Sequence, residues 1–160
     1  MAESRNAPLR AVPTSFFSWD YRVFQGDEEV ALVDLAWLRE RAWVTVDGEE
    51  YRIEREGIAR GRWFLRSGDR VLASAEKPSA FRRRFDVTVT DRRFTLEPGA
   101  PWSRRFVLRH GARERGFIEP EGLLTRKARI DLPADLSLPV RIFLSFLVLV
   151  LWKRAHAAAG

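Results

Sequence analysis

Two histidines, His110 and His156, are the only side chains in this 160-residue sequence whose ordinary pKa lies near neutrality, and there is no cysteine. A general base needs a partner that orients it. His110 instead adjoins Gly111 in a turn signal, and His156 lies in the run AHAAAG at residues 155–160. Neither the strained serine elbow G-x-S-x-G nor the zinc-binding H-E-x-x-H occurs. The glycines of residues 57–62 (GIARGR) lack the spacing and the strand-to-helix setting of a phosphate loop. The carboxylate pairs Glu28-Glu29 and Glu49-Glu50 flank turns, where solvation accounts for them. No catalytic residue, metal ligand or cofactor is expected, and the chain reads as non-enzymatic.

The remaining chemistry is cationic. Residues 1–80 carry 12 Lys+Arg against 14 Asp+Glu, whereas residues 81–160 carry 16 against 8, so the net charge of +6 sits in the second half. Guanidinium forks match phosphate oxygens, and clustered cations attract anionic partners. Arg82, Arg84, Arg92, Arg93, Arg104, Arg105, Arg126 and Arg129 fall on or beside successive strand-like segments and form the candidate anion-binding patch. The competing reading is a solvated face with weak cross-strand ion pairs to Asp86, Asp91 and Glu97. The six tryptophans are expected mostly in the core. Trp37 is the exception, set in a polar stretch and marking a candidate protein contact.

The elements that must position these residues are short strands. Residues 42–46 (AWVTV) and 51–54 (YRIE) flank Asp47-Gly48, a dipeptide that tolerates the positive φ angles of a tight hairpin turn. Residues 62–66 and 71–75 repeat this arrangement around Ser67-Gly68-Asp69. In residues 81–89 (FRRRFDVTV), Phe81, Phe85, Val87 and Val89 share one parity, and Arg83 breaks the rule by sharing it too. A bulge, an inward ion pair or a later strand start is needed. Residues 93–96, 105–108, 114–118 and 124–130 continue the series to about ten to twelve strands, and residues 32–41, although ambiguous, suit strands at both ends. So many short strands must hide their edges, and closure into an antiparallel barrel does so.

Residues 138–152 (LPVRIFLSFLVLVLW) hold twelve large apolar side chains and no polar face, a pattern that demands burial all round. A helix of that length reaches about 22 Å, short of a hydrocarbon core of about 30 Å, and Arg141 would lie within the lipid. A wide barrel needs a filling. The expected fold is therefore mainly β, a closed antiparallel barrel of about 12 strands enclosing a hydrophobic C-terminal α-helix. Pro139 suits the first helical turn, and Ser145 can return its proton to a carbonyl one turn earlier. One domain is expected over residues 16–154, with flexible tails at 1–15 and 155–160.

Residues 50–54 (EYRIE), 63–66 (WFLR), 68–73 (GDRVLA) and 81–89, closed by the apolar run 138–152, resemble the tubby C-terminal-like superfamily, which includes phospholipid scramblases and LURP-one-related proteins. The resemblance covers about residues 16–154 and implies a twelve-stranded barrel around a C-terminal helix. It also implies binding of anionic phospholipid head groups by basic residues on the barrel exterior. Scramblase-like members use calcium, palmitoylated cysteines and a proline-rich tail. This sequence has no cysteine, no such tail and no Asp-x-Asp-x-Asp-Gly loop, so lipid scrambling is not implied. The expected role is a non-enzymatic binding or scaffold domain, and the expected partner is anionic membrane lipid. The start MAESRNAPLRAVPTSFF lacks the pattern of a secretory signal, so a monomer in the cytoplasm, peripheral at the membrane, is expected. The alternatives are a protein-interaction module, a tail-anchored membrane protein and a nucleic-acid binder, with no nucleic acid expected as partner.

Overall fold

The computed structural model describes residues 7–16, 18–36, 41–56 and 61–160. Twelve strands form one closed antiparallel barrel in which every strand pairs with its sequence neighbours and the first pairs with the last. They are β1 Leu9–Pro13, β2 Tyr21–Gln25, β3 Glu28–Ala36, β4 Arg41–Val46, β5 Glu49–Glu56, β6 Arg62–Ser67, β7 Arg70–Glu76, β8 Phe85–Val89, β9 Arg92–Pro98, β10 Phe106–His110, β11 Arg113–Pro120 and β12 Ala128–Asp131. The helix α1, Leu138–Ala159, follows.

The alternation of residue types sets the inside of the barrel. In β4, Ala42, Val44 and Val46 are buried while Arg41, Trp43 and Thr45 face water. The hairpin at Asp47-Gly48 has φ of 50° and 80°, the left-handed pair that matches the twist of the flanking strands. Pro139 to Trp152 of α1 are all buried inside the barrel. By length and composition α1 could cross a membrane, yet it spends that apolar surface on its own strands. Pro139 lies in the first turn, and the Ser145 hydroxyl donates to the Arg141 carbonyl oxygen at 2.8 Å, as the sequence leads one to expect. Burial holds the Arg141 guanidinium below the ordinary arginine range.

The expected tail over residues 1–15 is corrected by β1. Leu9 pairs with Ile130 and Ala11 with Ala128, and without this strand β2 and β12 would be open edges. Only Leu9 and Ala11 on its inward parity are apolar and fully buried, Pro8 precedes it and Pro13 ends it, so the segment imitates a loop. The expected tail at 155–160 is also corrected, because α1 runs to Ala159 on an alanine-rich stretch of high helix propensity. The strand expected over residues 81–89 begins only at Phe85, and the one expected over 124–130 only at Ala128.

The tryptophans need a further correction. Trp63 and Trp152 are buried and Trp19 partly so, but Trp43 and Trp102 are exposed, and Trp37 lies outside the described residues. The helix fills the centre, so many inward strand positions are small: Ala11, Ala31, Ala42, Ala73, Ala75 and Ala128. The bulky inward strand residues are few: Tyr21, Trp63, Phe85, Phe94 and Phe106.

The two ends of the barrel differ. At one end, residues 26–27, 47–48, 68–69, 90–91 and 111–112 are two-residue turns, and residues 132–137 lead into α1. At the other end the described connections are long, at 14–20 (residue 17 apart), 77–84, 99–105 and 121–127. The C-terminal end of α1 emerges among them, where the Trp152 indole Nε1–H donates to the Arg104 carbonyl oxygen at 3.1 Å.

Candidate functional site

The long-loop end collects two kinds of side chain that ordinarily avoid each other. Phe16, Phe81, Trp102, Leu123 and Leu124 are each at least 82% exposed, and all five lie in the four described loops. Among the described residues the other exposed large apolar side chains, Leu32, Trp43 and Val71, lie on the barrel wall and are about half as exposed. The same loops carry Lys77, Arg82, Arg83, Arg84, Arg104, Arg105, Arg126 and Lys127 against Asp20 and Glu121, and α1 adds Lys153 and Arg154. Glu121 is already engaged with Arg10, whose guanidinium holds that carboxyl below the ordinary glutamate range.

Two arginines build the loops. Arg104 donates to the carbonyl oxygens of Leu123 and Thr125 at 3.1 and 3.0 Å, and its guanidinium stacks 4.8 Å from the Trp152 ring centre. Arg126 donates to the carbonyl oxygens of Ser15, Phe16 and Ser18 and stacks 5.1 Å from Trp19. The loop tips are thereby held from below while their apolar side chains stay in water. Lys153 Nζ lies 5.9 Å from the centre of the Trp19 ring, fastening the helix end to the first loop.

The eight arginines of the candidate patch do not gather in one place. Arg82, Arg104 and Arg126 are at the loop end. Arg84, Arg105 and Arg129 face the outer wall and meet carboxylates: Arg84 with Asp86 at 2.9 Å, Arg105 with Glu114 and Glu119 at 3.3 and 3.4 Å, and Arg129 with Glu119 at 3.8 Å. Arg92 lies toward the tight-turn end and pairs with Asp135 at 2.9 Å. Arg84 and Arg93 line a groove of about 500 Å³ on the wall, where Glu76 and Asp86 also lie. Antiparallel strands send successive basic segments to opposite ends, which dispersed the set.

The pattern of residues overlooked Arg83, Lys77 and the exposed apolar tips. Arg83 was signalled by its wrong parity. It precedes β8 and turns toward the barrel mouth, its guanidinium 5.2 Å from the Phe106 ring centre, and burial holds it below the ordinary arginine range. Burial, and then the cations of Arg154, Arg55 and Arg83, hold the Lys77 ammonium below the ordinary lysine range. A cleft of about 610 Å³ opens at this end, lined by Trp19, Arg83, Arg104, Arg126 and Trp152 and by Phe16, Leu123 and Leu124.

His110 packs near Phe94 and His156 near Trp19, with ring centres 5.1 and 6.1 Å apart. Among the described residues no three His, Cys, Asp or Glu side chains converge. Comparison with family models, with curated proteins and with solved structures returns no match to this chain. The chemistry of the loop end must therefore stand on its own geometry.

Proposed function

We propose that this protein is a non-enzymatic, tubby-like binding or scaffold module that docks, loop end first, on an anionic membrane surface at the cytosolic face. The observation that carries this reading is that, among the described residues, the nearly fully exposed apolar side chains are confined to the loops that hold a large excess of cations. Apolar tips in water are costly unless a partner covers them. An anionic bilayer suits both parts, because Phe, Trp and Leu enter the head-group region while each nearby Lys or Arg gains about 1 kcal/mol from the surface potential.

Sedimentation with vesicles tests it. Vesicles containing phosphatidylserine should carry the protein down, neutral phosphatidylcholine vesicles should carry much less, and added salt should weaken the interaction. Replacing both leucines (Leu123→Ser with Leu124→Ser) removes about 3 kcal/mol of apolar transfer and should weaken binding roughly 100-fold. No sedimentation with anionic vesicles at low salt, or an unweakened double variant, ends the reading. A second reading, a protein-interaction surface, is favoured by Leu32 and Trp43, exposed on the neighbouring strands β3 and β4.

A further inference from the structure

Within the loop end, the cleft has a composition that a flat docking surface does not require. Three guanidinium groups, Arg83, Arg104 and Arg126, line it, and none has a carboxylate within ion-pair distance among the described residues. Each is stacked on an aromatic ring, of Phe106, Trp152 and Trp19 respectively, which fixes its plane. Arg104 and Arg126 spend part of their donor capacity on loop carbonyls. Arg83 makes no hydrogen bond or ion pair among the described residues, so its five N–H donors are uncommitted. Outside the cleft most wall arginines have found acids, so this lack of compensation is local.

The remaining wall of the cleft is apolar. Phe16, Leu123 and Leu124 line it and also stand among the exposed tips, so the cleft opens where those tips lie. Cations at the back and hydrocarbon at the lip describe the two halves of an amphiphile.

We propose that the cleft binds one anionic amphiphile, with Arg83 as the main contact to a phosphate oxyanion, Arg104 and Arg126 supplying further charge, and the adjoining carbon chain lying along Phe16, Leu123 and Leu124. The partly desolvated state of Arg83 strengthens such a contact, because a guanidinium already stripped of water gives up little more on binding. Lys77, on the same loop, adds positive potential. The supply of ligand from a membrane rests on the docking reading; the chemistry of the cleft does not.

Isothermal titration of the full chain with dihexanoyl phosphatidic acid below its micellar range, and separately with inorganic phosphate, tests the site. The short-chain lipid should bind saturably and at least ten-fold more tightly than phosphate, and Arg83→Gln should weaken it at least ten-fold. Arg83→Lys, which keeps the charge but loses the fork, should fall between the two. Circular dichroism of each variant establishes that it is folded. Equal affinity for lipid and phosphate would overturn the amphiphile assignment. No saturable heat with either, or unchanged affinity in both folded Arg83 variants, would overturn the site. Arg83→Gln should weaken sedimentation with phosphatidylserine vesicles by no more than about five-fold, the share of one surface cation, whereas a failure of docking would appear as loss of sedimentation by the wild-type chain.

Discussion

Phe146 lies within the buried stretch of α1, fully enclosed, with its ring edge-on to Trp63 of β6 at 5.5 Å between centres and 71° between planes. Truncation to alanine removes a ring from the place where helix and barrel meet. A buried Phe→Ala change costs about 3–5 kcal/mol, of which an edge-to-face pair accounts for about 1 kcal/mol. Domain stabilities run at about 5–15 kcal/mol, so about a fifth or more is lost, and the Tm of a chain of this size should drop by roughly 10 °C. Urea unfolding followed by near-UV circular dichroism should show the midpoint falling at unchanged slope. Phe146→Leu keeps most of the volume and should cost about 1 kcal/mol. Ala158→Ser, on the exposed part of α1 beyond the barrel, should change stability by under about 0.5 kcal/mol. A loss below about 1 kcal/mol for Phe146→Ala would refute the helix as the core, because no enclosed ring of that size can be removed so cheaply.

Other perturbations read other parts of the structure. At Gly116 an added Cβ would lie 2.3 Å from the Asp131 carbonyl oxygen on the neighbouring strand, so Gly116→Ala must push β12 away and should cost about 2–3 kcal/mol in thermal unfolding. A Tm within a degree of wild type would contradict the register of β11 on β12. The Tyr21 hydroxyl is buried with no hydrogen-bond partner among the described residues, so Tyr21→Phe should be neutral or stabilising by up to about 1 kcal/mol. Burial raises the Tyr21 pKa, against the opposing pull of Arg126 and Arg104, so the folded chain keeps a proton that the unfolded chain releases above about pH 10. Stability is therefore lost as pH rises through that range, and Tyr21→Phe should lose less between pH 8 and 10.5; parallel Tm curves would count against this. A thiol placed by Ser145→Cys should resist thiol reagents in the native protein and react on unfolding, since Ser145 is buried in the barrel interior; rapid native labelling would oppose that placement.

Much of the fold was legible because two of its signals are local. The Asp47-Gly48 turn needs only positive φ at two residues, and the alternation in β4 needs only one wet and one dry face. The uniform apolar run of α1 could be satisfied only by full enclosure, and its shortness weighed against lipid. Strand β1 was illegible because its role is closure, a property of β2 and β12 rather than of its own five residues. The site was read less well for a related reason. Parity tells which face of a strand a side chain takes, but not which end of the barrel a loop reaches, so Arg92 and Arg104 looked like neighbours although strand direction separates them. Arg83 carried a usable signal in its wrong parity: a charge on the dry side of a strand start points into the mouth. The pair Leu123-Leu124 beside the turn signal Glu121-Gly122 was a second such sign.

The absence of native cysteine makes the orientation on a membrane directly measurable. Single spin labels introduced at Leu124→Cys, in the loop end, and at Asp69→Cys, in a tight turn at the opposite end, can be compared on phosphatidylserine vesicles. The label at 124 should become shielded from a water-soluble relaxation agent and accessible to oxygen dissolved in the bilayer, while the label at 69 stays in water. Vesicle-bound protein with both labels in water, or with only the label at 69 immersed, would contradict docking by the loop end.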